Sequence, residues 1–242
     1  MKNTLTVKDI VIGDYRTADV FRKWGINYCC GGILSVEDAC VLKNINHSDV
    51  EKDLQQATRN VQLSNTVAFD EWPVAFLTDY IVYVHHSYLK TICQTFFPSF
   101  ESFVNGHLKK YPYLAQVKEV FKNLVSELKV HTWKEEESIF PYVKQISYDY
   151  DRKETDSSLF AQTMSRPIAN LIAREHKQIA SLIQQLREVT ENYSFSAGAC
   201  TNHRVIYQKL KEFDADLVQH KHLENNILFP KVLEMERSLF QI

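Results

Sequence analysis

The feature that most restricts how this chain can fold is an internal repeat with helical spacing. One copy runs Glu127, His131, Glu135 and then Ile139-Phe140-Pro141; the other runs Asp216, His220, Glu224 and then Leu228-Phe229-Pro230. Acid, histidine, glutamate, aliphatic residue, phenylalanine and proline recur in one register, 89 residues apart. A second pair of histidines keeps nearly the same offset: His86 stands 45 residues before His131, and His176 stands 44 before His220. Apolar residues flank both, Ile81, Val82 and Leu89 around the first and Leu171, Ile172 and Ile179 around the second. Two copies of one helical hairpin account for this pattern.

The rest of the chain agrees with an all-α fold. Gly and Pro number only six each, which suits long helices better than a turn-rich β architecture. Apolar residues make up 45% of 242, enough to bury a core. Periodicity predicts four long helices over 74–105, 112–146, 165–193 and 200–234, with Pro98 bending or interrupting the first. The charged segment 147–164 reads as the longest connection and 192–198 as the last turn. Helices of this length form a four-helix bundle over 74–242. Residues 1–60 read as a small helical domain. In it a helix over 17–24 is closed by Gly25, another is capped by Ser35, and a third covers 48–59 with Ser48 as its cap. Residues 61–73 form a linker that ends on Pro73.

The spacing carries chemistry as well as structure. Residues four apart on a helix differ by ~40° around the axis and ~6 Å along it, so His and Glu at i and i+4 reach one site. Two such helices supply His131, Glu135, His220 and Glu224, and the other two supply His86 and His176. Four imidazoles and two carboxylates suit iron, manganese or zinc and disfavour copper(I). Glutamates on opposed helices can each bridge two metals. A single His-x3-Glu match means little, since 9 His and 17 Glu give roughly 0.6 matches by chance. His47 and Glu51 make such a match without the flanking pattern. Register with His176 selects His86 over its neighbour His85. Glu127 and Asp216, each one turn before a ligand histidine, read either as acceptors that orient an imidazole or as exposed acids. Glu175 points ~100° away from His176 and reads as a proton or access group. Phe140 and Phe229 read as covers for the ends of the metal chamber.

Other classes are disfavoured. With a net charge of −2 and no basic tract, nucleic acid is not an expected partner. No stretch of ~18 apolar residues exists to cross a membrane, and no secretory signal is evident. Five cysteines without CxxC spacing point to a reducing cytoplasm. Cys29 and Cys30, followed by Gly31-Gly32, could bind metal, exchange disulfides or react with oxidants as thiolates; the alternative is a pair of small buried residues in a tight turn.

On these residues the sequence resembles the Repair of Iron Centres family, the YtfE/ScdA/DnrN group of hemerythrin-like di-iron proteins. VFRKWGINYCCGG at 20–32 is similar to the ScdA-type N-terminal domain, and HTWKEEESIFP at 131–141, AREHKQ at 173–178 and HLENNILFP at 222–230 resemble the family's iron-binding stretches. The resemblance implies the same six ligands, His86, His131, Glu135, His176, His220 and Glu224. It also implies two non-haem irons bridged by oxygen and the two carboxylates, and often a homodimer. The implied function is cytoplasmic repair of iron–sulfur clusters damaged by nitric oxide or peroxide, with damaged iron–sulfur proteins as partners and the Cys29–Cys30 pair assisting iron handling. Two further readings of the same centre are an oxygen or nitric oxide carrier or sensor and a nitric oxide reductase-type enzyme.

Overall fold

The computed structural model describes residues 5–29, 32–59, 67–153 and 168–240, with side chains from 175 to 239 in the last of these. All regular elements among them are helical, and the one β-bridge pairs Thr6 with Ser35. The chain divides into two compact units. The first takes in the described residues up to 59 together with Tyr193–Glu212; the second takes in those from 67 to 192 and from 213 onward.

In the first unit, α1 (Val7–Gly13), α2 (Thr17–Lys23), α3 (Val36–Lys43) and α4 (His47–Thr58) are short. Caps define them. Thr6 and Asp9 form a reciprocal capping box on α1, and the Ser35 hydroxyl accepts from Asp38 N at 3.0 Å on α3. The cap of α4 is Asn46 rather than the expected Ser48; its Oδ1 accepts from Ser48 N at 2.9 Å, so the helix begins at His47. Gly25 turns the chain after α2 with φ +65°, where a side chain would be strained. Val7, Val11, Phe21, Ile26, Cys40, Val50 and Val205 form the buried centre. Cys29 is half-buried, and its N–H donates to Asn27 Oδ1 at 2.9 Å. Cys30, Gly31 and residues 61–66 of the expected linker lie outside the described residues.

Four long helices make up the rest. α5 covers 74–107, α6 covers 114–152, α7 is Ile168–Val189, and α8 covers 201–240, its residues up to Glu212 counting with the first unit. α6 continues through Arg152, so residues 147–152 are helical rather than the start of a connection; the charged residues beyond 153 lie outside those described.

Pro98 does not interrupt α5. The helix widens by one residue immediately before it, in a π-helical turn over Ile92–Phe96. The same device precedes the other two Phe-Pro pairs, over Glu135–Ile139 and Glu224–Leu228. Proline has no N–H to donate, and its ring collides with the carbonyl four residues back in a regular α-helix. In the widened turns Phe140 N–H donates to the Glu135 carbonyl and Phe229 N–H to that of Glu224, each five residues back. A fourth such turn, Ile81–His86, has no proline after it.

Two apolar layers flank the middle of the bundle. On one side Phe121 is fully buried, with ring centroids at 4.9 Å from Phe100, 5.8 Å from Phe96 and 5.4 Å from Phe213. On the other, Leu77, Ile81, Phe140, Val143, Ile146, Leu228 and Val232 pack together. Because Phe121 joins four rings from two other helices, Phe121→Ala is expected to cost about 3–5 kcal/mol in urea unfolding, the range for a buried phenylalanine truncated without collapse of the site. A loss below ~1 kcal/mol would show that this layer is loosely packed.

Candidate metal centre

Between these layers the four long helices bring six polar side chains together. His86 closes the widened turn of α5; His131 and Glu135 stand four apart on α6; His176 lies on α7; His220 and Glu224 repeat the α6 spacing on α8. All six are buried, with exposures of 5% or less. They form two groups, His86, Glu135, His220, Glu224 and His131, Glu135, His176, Glu224, whose candidate donor atoms lie within 4.8 Å of one another.

Both glutamates belong to both groups, and their oxygens divide accordingly. Glu135 Oε2 lies 3.3 Å from His86 Nε2, and Oε1 lies 3.3 Å from His131 Nε2. Glu224 Oε1 lies 2.8 Å from His220 Nε2, and Oε2 lies 3.4 Å from His176 Nε2. Each carboxylate therefore spans the two groups with one oxygen in each. All four imidazoles turn Nε2 inward.

Three of the four also have a fixed outer nitrogen. Nδ1 of His86 meets Glu136 Oε1 at 2.9 Å, that of His131 meets Glu175 Oε2 at 3.3 Å, and that of His176 meets Asn225 Oδ1 at 2.7 Å. An acceptor there keeps the proton on Nδ1 and leaves the Nε2 lone pair for a cation. Lys90 binds Glu136 at 2.9 Å, and Lys134 binds Glu175. Burial pushes both acids up, but Lys90 and His86 for Glu136, and Lys134 and His131 for Glu175, outweigh it and hold them below the ordinary glutamate value.

Burial and mutual charge act strongly on the inner groups. Burial, and then the charge of Glu224, push Glu135 well above its ordinary value. Burial pushes Glu224 up too, but His220, His131 and His176 reverse the direction and keep it ionised. Burial, with the neighbouring charge of His220, brings His86 down to about 4, and burial brings His131 to about 4, so both are neutral ligands near pH 7. Buried and without hydrogen-bond partners are His86 Nε2, both Glu135 oxygens and Glu224 Oε2, the atoms that face the shared centre. Unpaired buried atoms of this kind cost several kcal/mol unless a cation satisfies them. The donor set, imidazole and carboxylate without thiolate, fits iron, manganese or zinc.

The surrounding residues sort differently from the sequence reading. Asp216 does not orient His220; its Oδ1 takes His85 Nδ1 at 2.8 Å. Glu127 is half-buried and makes no hydrogen bond to a ligand histidine among the described residues. Glu175 reaches His131 across the helix pair rather than standing apart. His85, although 1% exposed, is outside both groups and stacks on His220 at 5.6 Å. Phe140 stacks on His86 at 5.6 Å, and Phe229 lies 6.3 Å from His176, both in the same apolar layer. Sequence reasoning missed Glu136 and Asn225. A signal was present: each follows a shared glutamate, at equivalent places of the repeat.

Fold and site together define a class, the helical-bundle proteins that bind cations through histidines and shared carboxylates. The chain belongs to the hemerythrin HHE cation binding domain family, whose model matches residues 78–232. Residues 3–58 match the ScdA_N domain, a domain of unknown function. The chain is similar to the iron-sulfur cluster repair protein ScdA of Staphylococcus epidermidis, 29% identical over 233 residues that cover 94% of this chain and 99% of the relative. It is likewise similar to the iron-sulfur cluster repair protein YtfE of Enterobacter sp. strain 638, 28% identical over 94% of this chain and 96% of the relative. A probable iron-sulfur cluster repair protein of Haemophilus influenzae is 28% identical over 88% and 90%.

A neutral amide in place of Glu135 removes a carboxyl whose ionised form burial and the charge of Glu224 both disfavour. Glu135→Gln is therefore expected to raise the urea midpoint of the chelator-treated protein, by about 1–3 kcal/mol in stability near pH 7. An unchanged or lowered midpoint would show that the pair is not electrostatically strained.

Proposed function

We propose that this protein holds two non-haem iron ions in the bundle and supports the repair of damaged iron–sulfur clusters. The observation that carries the reading is the sharing of Glu135 and Glu224 between two groups, each with its own pair of histidines. His86 and His220 would hold one ion, His131 and His176 the other, with the two glutamates bridging. When bound, such a pair supplies one-electron chemistry and sites for a small ligand such as nitric oxide or oxygen.

The chain's own residues set the terms of that chemistry. Glu136, Glu175 and Asn225 hold three imidazoles in the tautomer that presents Nε2. Phe140 and Phe229 set apolar rings against His86 and His176. The names of the relatives, iron-sulfur cluster repair proteins matched along most of both chains, support repair as the purpose. The matching N-terminal domain carries the Cys29–Cys30 thiols, which we assign to iron handling. A cytoplasmic location and a homodimeric assembly belong to the same reading. No helix among the described residues is long and apolar enough to cross a membrane.

Metal analysis of the purified chain tests the centre. About two irons per chain are expected, falling in both Glu135→Ala and Glu224→Ala, since each carboxylate serves both ions. Full iron loading in both variants would sink the ligand assignment. Repair is tested separately, by recovery of an iron–sulfur enzyme inactivated with nitric oxide. Recovery should need the iron-loaded protein and fall in a Cys29→Ala/Cys30→Ala variant. Reversible oxygen binding without recovery would favour a carrier, and turnover of nitric oxide with a supplied reductant would favour an enzyme.

A further inference from the structure

A cleft between α7 and α8 lies outside the metal centre and has chemistry of its own. Its volume is about 380 Å³, and Ile183, Arg187, Val218, Lys221, His222 and Asn225 line it together with Asn226. No acidic residue lines it among the described residues.

Its two cations are not equivalent. Arg187 is paired with Asp214, Nε to Oδ2 at 2.7 Å and Nη2 to Oδ1 at 2.6 Å. Lys221 is partly buried and has no ion-pair partner among the described residues. A partly buried ammonium without a counter-charge gains more from a bound anion than a fully solvated lysine does.

The neutral groups of the wall add donors. Asn225 Oδ1 is committed to His176 Nδ1 at 2.7 Å, which leaves the amide NH2 of the same side chain to the cleft it lines. Asn226 Nδ2 donates to His222 Nδ1 at 2.8 Å, which leaves Nε2 as the nitrogen of that ring able to donate. Lys221, Asn225 and His222 thus bring three N–H donors to one cleft, and Asp214, which pairs with Arg187, does not line it.

We propose that this cleft binds a small oxyanion through carboxylate or phosphate oxygens, with Lys221 as the charged contact and Asn225 and His222 as neutral donors. The volume admits inorganic phosphate or a small polycarboxylate. Occupancy has a structural consequence. An anion that accepts from the Asn225 NH2 holds the amide in the orientation whose Oδ1 receives His176 Nδ1–H. Anion binding and the tautomer of His176 are then linked through one side chain.

Isothermal titration of the full-length, metal-loaded chain in chloride buffer tests this, with inorganic phosphate and citrate as separate probes. The expected result is saturable binding of one equivalent of at least one probe. Lys221→Met, which keeps the aliphatic stem, should weaken it about tenfold or more while leaving the circular dichroism and melting temperature in place. Phosphate binding alone would identify an inorganic oxyanion, and stronger citrate binding would identify a polycarboxylate; either supports the site. The titration is repeated after chelation. Binding that disappears with the metal and ignores Lys221→Met would place the anion on the metal and overturn the proposal. Absence of saturable binding of both probes at millimolar concentration would overturn it as well.

Discussion

The carboxylates of Glu135 and Glu224 share one buried volume with no exposure to solvent, and the rest of the bundle is arranged around that fact. Two negative charges so close cannot both be kept in a dry interior without compensation, because desolvation and mutual repulsion add. Apolar layers on either side offer none. Four imidazoles do, but only in part: burial keeps His86 and His131 neutral, so they donate lone pairs rather than positive charge. The outer acids Glu136 and Glu175 add little to the repulsion, since Lys90 and Lys134 pair with them. Glu224 holds His220 above the ordinary histidine value against its burial, so one imidazole offsets part of the charge at the point where the unpaired oxygens and nitrogens converge. A bundle that places its most expensive groups at its middle, and then orients each of them inward, makes its stability depend on what occupies that point.

The prolines have a part in this. Each repeat ends in Phe-Pro, and proline cannot be carried within a regular α-helix without loss of a hydrogen bond and a steric clash. The helices continue because a turn of five residues opens before each proline, and in α6 and α8 that turn begins at the shared glutamate. The carbonyl of the glutamate is the acceptor that closes the widened turn. Backbone irregularity, ring stacking of Phe140 on His86 and the placing of the carboxylate are thus consequences of one short sequence motif. This explains why the motif recurs whole: the proline and the glutamate six residues before it serve the same local geometry.

Much of this was legible in the residues alone. The six inner side chains follow from spacing, because i and i+4 on a helix share a face whatever surrounds them. The four long helices follow from periodicity, and their errors lie at ends and at proline. The outer contacts were not legible, for a physical reason. Glu136 and Asn225 meet histidines on other helices, and such a contact depends on how helices cross rather than on distance along one helix. Asp216 illustrates the converse: its position one turn before His220 suggested support for that ring, yet packing delivers it to His85. The N-terminal caps show the same limit on a smaller scale, with Asn46 taking the role expected of Ser48.

The departure from repeat symmetry matters most at His85. The residue before His176 is Glu175, which accepts from His131 on the neighbouring helix. At the equivalent place before His86 the chain has His85, which stacks parallel to His220 at an interplanar angle of 7° and gives that ring no acceptor. Nδ1 of His220 is buried without a hydrogen-bond partner. One group therefore contains two imidazoles with acceptors on their outer nitrogens, and the other contains one. An acceptor on the outer nitrogen raises the basicity of a ligand imidazole. The group of His131 and His176 is thus the more strongly donating, and that of His86 and His220 the weaker. Repeat symmetry is thus broken at the outer nitrogens, and the two groups differ in donor strength even though the inner donors match.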